Sequence, residues 1–222
     1  MRAPHGLPAP TRGIAAPAFD AAWLSQRPHA AFFCEENAWQ LALDPAISTG
    51  SWVVVITNPT QSVAMWSQQA AVADPIVWDY HVVVVVEEAP SDAGSPPAFL
   101  VLDHDCRSAT VQPLEQWLTT SFRRGLRDDV MPRFRVIPAV VFATHFASDR
   151  RHMVDHEGAP IKPFPPWPAP HAERGSSLAR LLDLEDERAD PLRGDVVDLP
   201  GFARRFGIPR LTLPPFTVES AP

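Results

Sequence analysis

Five consecutive valines, Val82 to Val86, constrain the fold of this chain more than any other stretch. A β-branched run without a polar member suits a strand covered on both faces, so it belongs inside a sheet and not at its edge. The sequence before it, Ile76-Val77-Trp78-Asp79-Tyr80-His81, reads as the start of the same strand. Glu87-Glu88 ends the run, and two charges there guard a sticky segment against aggregation. Ala98 to Asp103 is predicted as the next strand. The Pro/Ser/Asp/Gly loop over 89–97 is short enough for a hairpin between the two.

Trp52 to Thr57, closed by Asn58-Pro59, and Arg133 to Ala143 give two further predicted strands. A helix is predicted to start at Cys34. Ala38, Leu41 and Ala42 follow it at helical spacing, and Asp44-Pro45 stops it. Pro113 to Arg124 carries the stripe Leu114, Trp117, Leu118 and Phe122. Ser177 to Leu184 and Leu199 to Phe206 are shorter helix predictions, the second with Gly207 as its cap. Helices and strands do not alternate as βαβ units. The predicted class is α+β, an antiparallel sheet with the cysteine-bearing helix packed against it.

Prolines mark the borders. There are 26 in 222 residues, well above the usual share of about 5%. Residues 1–28 read as a Pro-rich, poorly ordered arm, docked at its end by Phe19, Trp23 and Leu24. Residues 29–210 are expected to form a single catalytic domain, and 211–222 a Pro-rich tail. Six prolines lie in 160–170 with Phe164 and Trp167, so this stretch is read as an extended cover whose aromatics need burial.

A net charge of −7 argues against a general nucleic-acid or membrane-surface binder. No apolar run approaches the roughly 20 residues that span a bilayer. Cys34 and Cys106 alone make no disulfide framework and no four-thiolate zinc site. The N-terminus lacks a secretory apolar core, so a soluble, reducing, cytoplasmic setting is expected.

A thiol at a helix N-terminus meets the positive end of the helix dipole, which favours the nucleophilic thiolate. The competing reading of Cys34 is a small buried core residue. A cysteine nucleophile needs a base and a group that orients the base. His81 lies in the most buried strand signal of the chain, and Asp103 ends the neighbouring strand. Hairpin pairing could bring them together. His5 and His29 lie in or next to the arm; His145, His152, His156 and His171 lie in polar, loop-like sequence. In His152-Met153-Val154-Asp155-His156, methionine stands where a zincin has glutamate. Asp103-His104-Asp105-Cys106, read as strand, would point its side chains to opposite faces and is set aside as a metal site. The arginines at 123, 124, 127, 133 and 135 read as a solvated face. Cysteine on a helix start, then histidine and acid on successive strands, is the chain order of papain-like and transglutaminase-like enzymes.

Four stretches in register go further. Cys34-Glu35-Glu36-Asn37-x-Trp39, Trp78-Asp79-Tyr80-His81-Val82-Val83, Asp103-x-Asp105 and Phe146-Ala147-Ser148-Asp149-Arg150-x-His152-Met153 together resemble the protein N-terminal glutamine amidohydrolase family. The resemblance spans roughly residues 30 to 207 and includes Pro165-Pro166-Trp167-Pro168 and Arg205-Phe206-Gly207. It implies a papain/transglutaminase-like core, no cofactor and no metal. The implied activity is conversion of N-terminal glutamine to glutamate with release of ammonia, feeding an N-degron pathway. It implies Cys34, His81 and Asp103 as the triad, and proteins or peptides with N-terminal glutamine as partners of a monomer. Glu35, Glu36, Asn58, Trp78 and Asp79 are the candidate substrate-binding residues, since a free ammonium calls for carboxylate or amide oxygens. Two glutamates beside a thiolate would oppose the dipole, so at least one should point away or be paired. The alternatives are an internal-glutamine deamidase, transglutaminase or cysteine protease on the same core, and a non-catalytic module that binds N-termini.

Overall fold

The computed structural model describes residues 19–47, 50–88, 92, 94–185 and 189–217. Eight strands run in chain order: β1 (Ser51–Thr57), β2 (Val63–Met65), β3 (Ile76–Trp78), β4 (His81–Glu87), β5 (Phe99–Leu102), β6 (Val111–Pro113), β7 (Arg133–Pro138) and β8 (Asp195–Asp198). Six helices accompany them: α1 (Ala21–Ser25), α2 (Cys34–Ala42), α3 (Leu114–Ser121), α4 (Ala139–His145), α5 (Leu178–Leu182) and α6 (Leu199–Arg205). Six strands make one sheet in the order β6-β5-β4-β1-β7-β8, every pairing antiparallel, and β2 and β3 pair separately.

The valine strand β4 is interior, as its composition requires, between β5 and β1. Its side chains divide by the period of two. Val82, Val84 and Val86 join Val53 and Val55 in a core under α2 and α4. Val83 and Val85 join Val54, Ile56 and Val101 in a second core with Trp117, Leu118 and Phe202 of α3 and α6. Each buried valine contributes about 1.5–3 kcal/mol of hydrophobic stabilisation. Both faces of the strand are therefore sealed, and His81 at its start is held in place from both sides.

Three expectations need correction. Residues 76–87 are not one strand. Asp79 takes the Tyr80 N–H on its own Oδ1 (2.9 Å), and its carbonyl accepts the Thr57 hydroxyl (2.8 Å). The chain breaks there, and β3 leaves to pair with β2. Residues 133–143 are strand only as far as Pro138, which caps α4; Ala139 and Phe142 then bury one helical face, overriding the β preference of Val140-Val141. Arg135 belongs to no solvated face. It is 2% exposed and donates to the carbonyls of Leu181 (2.9 Å), Asp183 (2.6 Å) and Arg193. Strand β8 had no counterpart in the sequence reading.

Most of the expected arm, residues 1–18, lies outside the described residues. Within them, Leu24 of α1 is core, with Phe19 and Trp23 packed against it. Among the described residues, no helix is long and apolar enough to cross a membrane.

Candidate active site

Helix α2 turns its polar and aromatic side chains in different directions, because successive helical residues are rotated by about 100°. Cys34 faces a cavity of about 580 Å³. Glu35 is buried just behind it, with Oε2 3.7 Å from the Cys34 sulfur and 3.1 Å from the Tyr80 hydroxyl, which donates to it. Glu36 points elsewhere and is wholly buried. Its carboxylate takes Arg150 Nε (2.9 Å), Arg150 Nη2 (2.7 Å) and Trp167 Nε1 (2.9 Å). Asn37 clamps the incoming loop through reciprocal bonds with the Ala30 backbone (2.8 and 2.9 Å). Trp39 donates to Ala143 O (3.1 Å) and fixes α2 to α4.

Glu36 thus anchors the Pro-rich cover and the segment carrying His152 to the cysteine helix. Breaking a buried, bidentate pair leaves an uncompensated charge, which costs about 3–5 kcal/mol. Glu36→Ala and Arg150→Ala are each expected to lower the unfolding free energy by that order. The double variant should cost less than the sum, as equilibrium unfolding would register.

The base comes from β4. Strand β5 reaches only as far as Val84 on its partner, so the start of β4 is uncovered on that side. The chain then turns at 103–106, where Cys106 N–H meets Asp103 O (3.2 Å). That turn returns Asp103 to His81, with Nε2 to Oδ1 at 2.9 Å and both side chains buried. Asp103 Oδ1 also accepts the Asp105 N–H (3.0 Å), and Oδ2 accepts Trp117 Nε1 (3.0 Å). Burial works against the Asp103 charge, but His81 and these donors outweigh it and hold the carboxyl below its usual range. Burial likewise opposes charge on His81, and Asp103 outweighs it, so the imidazole titrates above its ordinary value. The carboxylate only accepts, so Nε2 carries hydrogen and neutral His81 keeps its lone pair on Nδ1.

Cys34 and His81 line the same cavity, with Trp78, Asp79, Tyr80, Asp105 and His152. The expected dipole effect does not govern this thiol. Burial, then Glu35 and Asp105, push it well above its ordinary value, and the Val82 N–H only partly opposes them.

Of the candidate substrate-binding residues, Asp79 and Trp78 line the cavity, and Glu35 lies immediately behind Cys34. Glu36 and Asn58 do not line it. Asn58 donates to Ser62 O (3.1 Å), Asp129 O (2.9 Å) and Met131 O (3.2 Å), and organises that loop. The ring of Trp78 stacks on His81, with centroids 5.8 Å apart.

Three residues were missed. His152 Nε2 lies 3.4 Å from Glu35 Oε1, without hydrogen-bond alignment. Burial disfavours its charge, but Glu35, Glu36 and Asp149 prevail and raise it. His29 lines the cavity and stacks on His104 at 4.5 Å. Burial and this neighbour push His104 down to about 4, so it is neutral. Asp105, of the Asp103-x-Asp105 motif, also lines the cavity. Its residue type and its place two after Asp103 were the available signal. Residues 103–106 form a turn and not a strand, which removes the argument that their side chains must diverge. Ligand atoms of His81, Asp103 and Asp105 lie within 4.8 Å of one another, but both Asp103 oxygens are already engaged. A larger groove of about 1040 Å³, beside Arg193 to Val197, holds no cysteine or histidine.

The profile described as N-terminal glutamine amidase matches residues 29–206. Protein N-terminal glutamine amidohydrolase of Homo sapiens is 33% identical over 187 residues, covering 79% of this chain and 85% of that protein. The Bos taurus protein of the same name is 32% identical over 184 residues, covering 78% and 84%. That of Caenorhabditis briggsae is 27% identical over 183 residues, covering 82% and 95%.

Proposed function

This chain belongs to the N-terminal glutamine amidase family and hydrolyses the side-chain amide of N-terminal glutamine, and we propose that Cys34, His81 and Asp103 carry the reaction. What chiefly supports this assignment is a buried His81–Asp103 pair whose histidine lines the same cavity as Cys34. We further read the helix-on-sheet arrangement as a papain/transglutaminase-like core.

In this mechanism the thiol proton passes to His81 Nδ1 and the sulfur attacks the amide carbon. Backbone N–H groups at the start of α2, that of Cys34 included, stabilise the oxyanion. The protonated His81 gives its proton to the departing ammonia, leaving a thioester. Water, deprotonated by the same nitrogen, then hydrolyses the thioester to glutamate and restores the thiol. Asp103 holds the ring and stabilises its cation throughout. We assign the protein, as a monomer in the cytoplasm, to the step that prepares N-terminal glutamine for an N-degron pathway.

Mass spectrometry of three peptides tests the function. A peptide starting with Gln should undergo the amide-to-acid mass change, and its N-acetylated form should not. An Asn-initiated peptide, one methylene short of the sulfur, should react about 100-fold more slowly or worse. Equal conversion of the acetylated peptide would favour an internal-glutamine deamidase, and peptide cleavage a protease.

A further inference from the structure

Two adjacent glutamates of α2 meet the segment after α4 in different ways. Glu36 takes Arg150 Nη2 at 2.7 Å, and an arginine keeps its charge at any working pH. Glu35 meets a histidine instead. His152, two residues after Arg150, places Nε2 3.4 Å from Glu35 Oε1. The other oxygen of that carboxylate, Oε2, lies 3.7 Å from the Cys34 sulfur and takes the Tyr80 hydroxyl at 3.1 Å. Glu35 therefore stands between the sulfur and a ring that titrates. It is 1% exposed, and neither its Oε1 nor either His152 ring nitrogen has a hydrogen-bond partner. A buried carboxylate in this position calls for positive charge beside it.

Resting on the assignment of Cys34 as nucleophile, we propose that His152 is a positioning residue for the reaction, acting through Glu35. As an imidazolium it balances the Glu35 charge, and that balance lets negative charge develop on the sulfur 3.7 Å away. His152 neither gives nor takes the reacting proton, which passes from Cys34 to His81. When His152 is neutral, the Glu35 charge faces the sulfur unopposed and attack slows.

The charged neighbours of His152 leave Glu35 as its partner. Its own segment brings Asp149, which binds Arg151 at 2.6 Å, and Arg150, which binds Glu36. Helix α2 brings Glu35 and Glu36. The Pro-rich cover brings Lys162, whose ammonium sits over the Phe32 ring, 4.4 Å from the centroid. Across the cavity lie Cys34, Asp79, Tyr80, His81, Asp105 and His29. Among the described residues, Glu36 and Asp149 each pair with an arginine, and Glu35 pairs with no arginine or lysine. Burial disfavours the His152 charge, but Glu35, Glu36 and Asp149 outweigh it and raise the ring above its ordinary value, in keeping with the contact. A ring so raised is charged below that value and neutral above it. The gain from His152 is therefore full on the acid side and is lost as pH rises through the His152 midpoint. An unbalanced charge at this range shifts its neighbour enough for a loss of about 10- to 100-fold. The fall is to a lower plateau and not to zero, because His152 acts on the sulfur only through Glu35.

The test is kcat/KM for ammonia release from a Gln-initiated peptide, measured against pH in wild type and in His152→Gln. The α-amine of the peptide titrates at about 7.7–8.0 for both proteins, so their ratio is the readout. Wild type should exceed His152→Gln by about 10- to 100-fold below the His152 midpoint, and the two should converge above it. The ring signal of His152 in NMR, assigned by its loss in His152→Gln, should titrate with the same midpoint as that ratio. In Glu35→Gln this midpoint should fall, because the carboxylate that holds the proton on the ring is gone. Glu35→Gln also removes the charge to be balanced, so adding His152→Gln to it should cost no more than about 2-fold. A ratio that stays constant with pH marks a merely structural His152 and overturns the inference. So does a His152 midpoint that ignores Glu35→Gln, which wild type and that variant alone can show. Ammonia release by Cys34→Ser separates the two claims. If that variant is inactive and the ratio does not change with pH, only the role of His152 fails. If it stays active, the nucleophile assignment itself fails.

Discussion

Cys34→Ala is expected to lower kcat/KM for a Gln-initiated peptide by about 10⁴-fold or more, or at least about 5.5 kcal/mol of transition-state stabilisation. The loss is large because, in this mechanism, the sulfur itself forms the covalent bond to the substrate. Among the described residues, the His81 ring hydrogen-bonds Asp103 and stacks on Trp78. The fold should survive. Cys34 is partly exposed at the edge of the core, and α2 is held by Glu36, Asn37 and Trp39. The unfolding free energy should therefore stay within about 1 kcal/mol of wild type. A folded variant that still releases ammonia at a tenth of the wild-type rate would remove Cys34 from the chemistry.

Asp103→Asn should cost about 10³- to 10⁴-fold in kcat, for a different reason. Three donors converge on the Asp103 oxygens: His81 Nε2, Asp105 N–H and Trp117 Nε1. An asparagine that keeps its oxygen toward Trp117 turns its NH₂ to His81. The ring must then accept at Nε2 and carry its proton on Nδ1, where the base should be. The variant also moves the pH profile. In wild type, kcat/KM falls as pH drops through the raised His81 value, because the protonated ring cannot take the thiol proton. Removing the carboxylate lowers that value, so the acid limb should shift to lower pH as the plateau falls. A limb that stays in place would mean that another group sets it.

Legibility in the sequence followed locality. The valine run dictated an interior strand, and the apolar spacing after Cys34 dictated α2, because burial patterns of period two and 3.6 are written in the residues themselves. His81 and Asp103 could be paired on paper because one hairpin joins their strands. What failed depended on distant partners. Val140-Val141 reads as strand locally, but Phe142 and Ala139 fit a helix against α2. Arg135 reads as solvated, and only the fold supplies the three carbonyls that bury it. His152 and Glu35 lie far apart in the chain and meet because Arg150 docks on Glu36. The thiol misled for a related reason. The helix N-terminus is visible in sequence, but burial and the direction in which Glu35 points are not, and they outweigh it.

The most direct test of a Cys34-centred mechanism is acid-quenched mass spectrometry of the enzyme in its first turnover of a Gln-initiated peptide. The expected result is a burst of ammonia matching the enzyme concentration, together with an adduct of the peptide less ammonia that maps to Cys34. The same burst with Cys34 unmodified, or with the adduct on another side chain, would contradict it.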